Sequence, residues 1–283
     1  MNKIKLNIKQ QSISITYSRN ELVNKTPVLF LHGFSGSSED WFFAKNKLHQ
    51  KFCPILIDLL GHGNSSSPEN TELYSSSSQI EILHRSVNEL SLEKFIIVGY
   101  SMGGRLALSY AMKYSDKVIG LLLESTSFGI KNNNERAKRI IADNSLSDFI
   151  EKSTIDSFIE YWLGLPLFST MNMLPYAQIE ELKNQKKKIC NKMGLSNSLR
   201  GFSTGKMPNY FKKLSDFHIP VSLVTGKLDI KFSEIATKAN ELLPDSKLYI
   251  VNDCGHNVHF EKPEEFLKLL NNFLANSRMN DEF

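Results

Sequence analysis

The sequence predicts an α/β protein: a mostly parallel, eight-stranded sheet with helices on both faces and one helical insertion. Three observations carry this. Continuous apolar runs such as Pro27–His32 (PVLFLH) and Phe95–Tyr100 (FIIVGY) mark strands buried on both faces. Such runs alternate with helical patterns up to residue 125 and again after residue 217, as repeated βα units do. Between them strand periodicity is lost and helical spacing takes over. The expected organisation is therefore a core built from residues 1–125 and 217–283, with residues 126–216 as a helical cap.

In chain order, Lys3–Lys9 and Ser12–Ser18 alternate apolar and polar residues and read as an antiparallel pair. Pro27–His32 follows as a strand, then a helix over Glu39–His49 with Ser37 or Ser38 as its N-cap. Phe52–Asp58 is the next strand, followed by the Gly/Ser/Pro-rich loop Gly61–Pro68 and a helix over Ser78–Leu90. Strand Phe95–Tyr100, helix Met102–Tyr114 and strand Val118–Glu124 close the first half. In the insertion, breaks fall at Gly164, Pro166, Pro175, Gly194 and Gly201–Pro208. Strand Val221–Thr225, helix Ser233–Leu243, strand Lys247–Val251 and helix Pro263–Ala275 complete the chain.

Composition narrows the function classes. With 283 residues, 41% hydrophobic, 23% charged, 15 Gly and 9 Pro, collagen-like, low-complexity and disordered readings are excluded. No apolar run approaches the ~18–20 residues of a membrane span. The N-terminal segment lacks the apolar stretch of a signal peptide. Cys53, Cys190 and Cys254 are too few and too scattered for a disulfide frame or a zinc site, which suits a reducing, cytoplasmic setting. The net charge is +4, yet residues 126–216 alone hold 14 Lys+Arg against 9 Asp+Glu. That local surplus suits an acidic small-molecule ligand, although Lys186-Lys187-Lys188 also reads as a solvated face. No nucleic-acid motif, metal-ligand spacing or cofactor-binding motif is present, and a monomer is compatible with everything read so far.

Gly99-Tyr100-Ser101-Met102-Gly103 is a G-x-S-x-G between a buried strand and a helix, the setting of a nucleophile elbow. Small residues at 99, 103 and 104 let strand and helix approach, and the helix start adds free N–H groups such as that of Met102. A serine hydroxyl needs a base, and the base an orienting acid. In this architecture the chain order is Ser, then Asp or Glu, then His, on loops after later strands. Asp229 and His256 occupy those places; His259 competes, but Gly255 before His256 permits the turn. His32 and His62 lie in turns and read as loop supports. His32-Gly33-Phe34 follows the first buried strand, so the Phe34 N–H is the expected second oxyanion donor beside the Met102 N–H.

HGF at 32–34, DLLGHGNS at 58–65, GYSMGG at 99–104, Asp229 and the GH at 255–256 resemble the α/β-hydrolase superfamily over essentially the whole chain. GYSMGGR, GIKNNNERAKRIIAD at 129–143, YWLGLPLF at 161–168 and SLRGFSTGKMPNYFKKL at 198–214 more narrowly resemble the 2-succinyl-6-hydroxy-2,4-cyclohexadiene-1-carboxylate synthases of menaquinone biosynthesis. Tyr210 departs from that family, which often has Trp there. Ile189–Cys190 stands where an arginine-rich patch is expected, leaving Lys187, Lys188 and Lys192 as the candidates for a carboxylate contact.

The resemblance implies a lyase without cofactor, acting on a tricarboxylate by removing a proton alpha to a ketone and expelling pyruvate. It also implies substrate contacts from Arg105, Arg139, Tyr100 and Trp162. Arg105 lies one helical turn past Ser101, and Arg139 stands four residues before Asp143. A serine hydrolase, either an esterase or a carbon–carbon bond hydrolase, would use the same triad. A small-molecule receptor on the same fold is the non-catalytic alternative.

Overall fold

In a computed structural model, which describes residues 1–276, the chain forms one eight-stranded sheet in the order β1-β2-β4-β3-β5-β6-β7-β8. The strands are β1 (Asn2–Ile8), β2 (Gln11–Tyr17), β3 (Thr26–Leu31), β4 (Phe52–Ile57), β5 (Phe95–Tyr100), β6 (Val118–Glu124), β7 (Val221–Gly226) and β8 (Ser246–Val251). The β1–β2 and β2–β4 pairings are antiparallel, and the other five are parallel. The expected architecture is therefore present, with strand ends displaced by at most a residue or so.

The apolar runs explain the layers. Successive side chains of a strand point to opposite faces. In β5, Ile97 joins the core shared with the Ser76–Glu89 and Met102–Ala111 helices. Its neighbours Ile96 and Val98 join the opposite core, with Trp41, Phe266 and Leu270. Both faces are covered, so no polar residue interrupts FIIV.

Three helices differ from expectation by more than two residues, and the one expected over Met102–Tyr114 ends at Ala111. The helix expected over Glu39–His49 is a 3-10 helix over Ser38–Ala44. Ser37 is its N-cap and forms a capping box with Asp40, while Trp41 is fully buried. The helix after β7 begins at Ile230 and not at Ser233, because Asp229 itself takes the N-cap position.

Between β6 and β7 no strand forms. The segment folds as helices Asn133–Lys152, Ile155–Leu163, Tyr176–Ile189 and Lys192–Gly201, with 3-10 turns at Pro166–Met173 and Phe211–Asp216. It buries its own small core of Ile150, Phe158, Ile159, Leu195 and Leu199, against which Phe34 of the sheet's loops packs.

Candidate active site

Four loops converge at the C-terminal ends of the parallel strands, where α/β sheets place their ligands. Ser101 follows β5 and sits at φ 49°, ψ −102°, left-handed and rare for a non-glycine residue. Conformations of this kind cost about 1–3 kcal/mol and persist only when the surroundings enforce them. Here the Ser101 N–H donates to the Glu124 carbonyl at 2.8 Å, and the Arg105 N–H donates to the Ser101 carbonyl at 3.0 Å. Gly103 must be glycine: a Cβ there would overlap the Leu31 carbonyl of the adjacent strand. Close packing of β3 against the elbow is thus built in.

His256 Nε2 lies 3.1 Å from Ser101 Oγ, and His256 Nδ1 lies 2.6 Å from Asp229 Oδ2. The three side chains form one hydrogen-bonded chain, with His256 and Asp229 buried. Phe232, Tyr100 and Phe168 surround the imidazole, with ring centroids 4.6, 5.5 and 6.1 Å away. His259, the competing histidine, turns away: its Nδ1 meets Glu124 Oε2 at 2.8 Å and its ring stacks on Trp41 at 4.3 Å.

Two supports escaped sequence reading. Glu261 accepts the N–H of Gly255 at 2.9 Å and that of Asn257 at 3.2 Å, clamping both neighbours of His256. Its only sequence signal is its place five residues after His256. Glu124 closes β6 and is fully buried, hidden inside an otherwise apolar strand.

The loop after β3 carries Phe34. The peptide unit that holds the Phe34 N–H has Gly33 as its carbonyl, and that carbonyl accepts the Gly36 N–H at 3.1 Å and His32 Nδ1 at 2.7 Å. His32 Nε2 accepts the Leu59 N–H at 3.0 Å, so the ring is a neutral Nδ1–H tautomer. Burial pushes its pKa down, which keeps it neutral. Met102 opens its helix, so its N–H belongs to the first turn, where intrahelical acceptors are lacking.

The four expected substrate contacts divide. Tyr100 and Trp162 line a cavity of about 270 Å³ that Phe34, Phe168, Lys186 and His259 also border. Trp162 packs edge-on against Phe34 at 5.1 Å and against Phe168 at 5.5 Å, so it belongs both to the helical segment's core and to the cavity wall. Arg105 and Arg139 do not border that cavity. Arg105 is 9% exposed, donates from Nη1 to the Phe202 carbonyl at 2.7 Å and stacks over the Phe202 ring at 4.5 Å. Burial first, and then the charge of Arg139, pull its pKa down to about 9. No protein carboxylate pairs with it among the described residues. Arg139, by contrast, donates from Nε to Asp143 at 2.9 Å with its side chain 40% exposed, and Ser203 Oγ bonds the other Asp143 oxygen at 2.6 Å. The lysine candidates also differ in their surroundings. Lys187 is bound to Glu160 at 3.0 Å and Lys188 is exposed, whereas Lys186, the residue before them, is buried and borders the cavity.

A serine elbow, a complete acid–imidazole–hydroxyl chain and an eight-stranded sheet of this order define a class, and the chain belongs to the alpha/beta hydrolase fold family, which matches residues 26–263. Within that class its relatives are specific. It is 40% identical over 248 residues to a Bacillus subtilis (strain 168) protein provisionally named a 2-succinyl-6-hydroxy-2,4-cyclohexadiene-1-carboxylate synthase, covering 88% of this chain and 90% of that one. It is 27% identical over 236 residues to the synthase of that name from Enterobacter sp. (strain 638), covering 83% and 86%. The solved structure of MenH from S. aureus superposes with a TM-score of 0.87 at 29% identity, covering 93% of this chain and 98% of that one. An esterase from Thermogutta terrifontis, at 21% identity and a TM-score of 0.82, shares the fold.

Proposed function

We propose that the protein is a carbon–oxygen lyase of menaquinone biosynthesis. It eliminates pyruvate from 2-succinyl-5-enolpyruvyl-6-hydroxy-3-cyclohexene-1-carboxylate and leaves 2-succinyl-6-hydroxy-2,4-cyclohexadiene-1-carboxylate. Kinship with synthases of that product over most of the chain supports the reading. The structural observation that carries it is Arg105: a buried guanidinium one turn below the serine, with no carboxylate in ion-pair contact among the described residues, since nearby Asp143 is taken by Arg139. An ester of a neutral alcohol has no use for such a cation. A tricarboxylate does, because a buried charge is stable only when paired.

In this mechanism Ser101 Oγ gives its own proton to His256 Nε2 as it takes the proton alpha to the succinyl ketone, so that the hydroxyl is restored and the imidazole becomes imidazolium. Asp229 holds the tautomer and stabilises the imidazolium that forms. The ketone oxygen gains negative charge and is held by the Phe34 and Met102 N–H groups. The electron pair then moves through the ring as the carbon–oxygen bond to the enolpyruvyl group breaks. The departing enolate takes up a proton to become pyruvate, and no acyl-enzyme is formed. The helical segment acts as the cap over this site, with Trp162 and Phe168 as its roof. Three unpaired cysteines suit a cytoplasmic enzyme, and no helix among the described residues is long and apolar enough to cross a membrane.

The test is pyruvate release from the enolpyruvyl precursor, by wild-type protein and by Arg105→Lys. Lysine cannot reproduce a bidentate guanidinium–carboxylate pair, so kcat/KM should fall by about 2–4 kcal/mol in transition-state terms. Aryl-ester hydrolysis should be slow and indifferent to the change. Intact pyruvate release together with collapsed ester hydrolysis in Arg105→Lys would put a serine hydrolase in place of the lyase.

A further inference from the structure

The oxyanion loop is held from two sides. From the sheet side, His32 fixes the Gly33 carbonyl. From the cap side, Lys186 Nζ donates to the carbonyl of Ser35, the residue after Phe34, at 3.1 Å, and Cys190 Sγ reaches the same oxygen at 3.6 Å. We infer that Lys186 is a positioning residue for the oxyanion hole: by holding the Ser35 carbonyl it sets the backbone that presents the Phe34 N–H, so the hole is complete only with the Tyr176–Ile189 helix docked on the sheet. This rests on the reading of Phe34 as an oxyanion donor.

The helix gives Lys186 no other function. Lys183 and Lys187, one turn apart on the outer face, both pair with Glu160. Lys186 points inward, is 7% exposed and forms no ion pair among the described residues. Two acids border the same cavity, and both are engaged elsewhere: Glu39 Oε2 takes Gln185 Nε2 at 3.0 Å, and Asp40 Oδ2 takes the Ser37 N–H at 3.3 Å. A buried ammonium is retained only where a bond compensates for lost hydration, and the Ser35 carbonyl is the bond present.

The partner residue needs holding. Ser35 has φ 60°, left-handed without being glycine, and its own Oγ is buried with no hydrogen-bond partner. Neither its side chain nor its intrinsic preference enforces that conformation. The two cap donors on its carbonyl, with the tight Gly33–Gly36 turn beside it, do.

The experiment compares Lys186→Met, which removes the donors at similar length, with Lys186→Arg, which keeps them. Two rates are read: pyruvate release, and covalent labelling of Ser101 by a fluorophosphonate, which needs the hole but no natural substrate. Lys186→Met should lower kcat and slow labelling by a common factor of about tenfold or more, with KM within about threefold, since loss of a whole oxyanion donor costs about 10²–10³. Lys186→Arg should recover most of both. Unchanged kcat and labelling overturn the inference. So does a rise in KM alone, which would make Lys186 a direct contact to the substrate. Should Lys186→Met fail to fold, Lys186→Gln is judged by the same criterion. Wild-type protein that is labelled but releases no pyruvate would sink the lyase reading, while labelling still decides the role of Lys186. An unlabelled Ser101 in wild type overturns both.

Discussion

His256 and His259 lie three residues apart after β8, His256 in the loop and His259 in the short helix Val258–Glu261 that follows, and they are anchored alike. Each presents Nδ1 to a carboxylate at a strand end, Asp229 at 2.6 Å and Glu124 at 2.8 Å, and each is almost fully buried. They differ in what the other ring edge and face meet. His256 Nε2 reaches Ser101 Oγ at 3.1 Å. His259 is packed between aromatics, stacked on Trp41 and met edge-on by Tyr100 at 4.9 Å, while Glu124 also takes its backbone N–H at 3.0 Å. A carboxylate on Nδ1 therefore fixes a ring without making it a base. In the proposed mechanism the base is chosen by the strained serine opposite Nε2, and the His259–Glu124 pair supports the wall behind Tyr100.

The largest expected effect breaks the first pair. His256→Ala and Ser101→Ala should each lower kcat about 10³-fold or more, and the double variant should lose little beyond either single one, because the two act as a unit. Steady-state pyruvate release on the three proteins checks this. Near-normal turnover by His256→Ala would reverse the assignment of the two histidines.

The second pair should respond in stability. Glu124→Gln replaces a buried carboxylate that takes two bonds from His259 with a neutral amide. Hydrogen bonds to charged groups contribute about 1.5–3 kcal/mol each, and part of that survives in the amide, so a loss of roughly 2–3 kcal/mol is expected in urea unfolding. Turnover per folded molecule should change less than about fivefold. A collapse of kcat at unchanged stability would instead bring Glu124 into the chemistry.

The contrast between the pairs also shows what a sequence discloses. The sheet was legible because β3 to β7 are largely apolar runs separated by turn residues, and burial on both faces writes that pattern directly. Ser101, Asp229 and His256 were legible because an elbow glycine and strand ends constrain their spacing. Glu124 was not: a lone acid closing an apolar run looks like the start of a loop, and only the fold brings His259 to it across 135 positions. Lys186 was missed for a helical reason. In a run of three lysines, spacing alone does not say which faces inward, and the register is set by Leu182, one turn earlier and buried on the same side. Arg105 and Arg139 were singled out together, and the structure gives each its own partner, a backbone carbonyl for one and Asp143 for the other, while leaving them near enough that the charge of Arg139 lowers the Arg105 pKa.

The smallest effect concerns a buried histidine that lacks a carboxylate altogether. His62 donates from Nδ1 to the Leu60 carbonyl at 3.1 Å, packs against His32 and Phe34, and leaves Nε2 buried without a partner. Burial, then the neighbouring His32, drive its pKa down to about 3. The unfolded chain, with an ordinary histidine near 6.5, then binds a proton between about pH 3 and 6.5 that the folded protein refuses. Stability from this group is complete above about pH 6.5 and is lost as pH falls, at about 1.4 kcal/mol per unit. Between pH 7.5 and pH 5.0 the loss should be about 2 kcal/mol. Urea unfolding at the two pH values measures it, and His62→Asn isolates it, since the variant keeps a polar side chain and has nothing to titrate. The wild-type drop should exceed that of the variant by about that amount. Equal drops would mean that His62 accepts its proton in the folded state, and that the packing under Phe34 opens in mild acid.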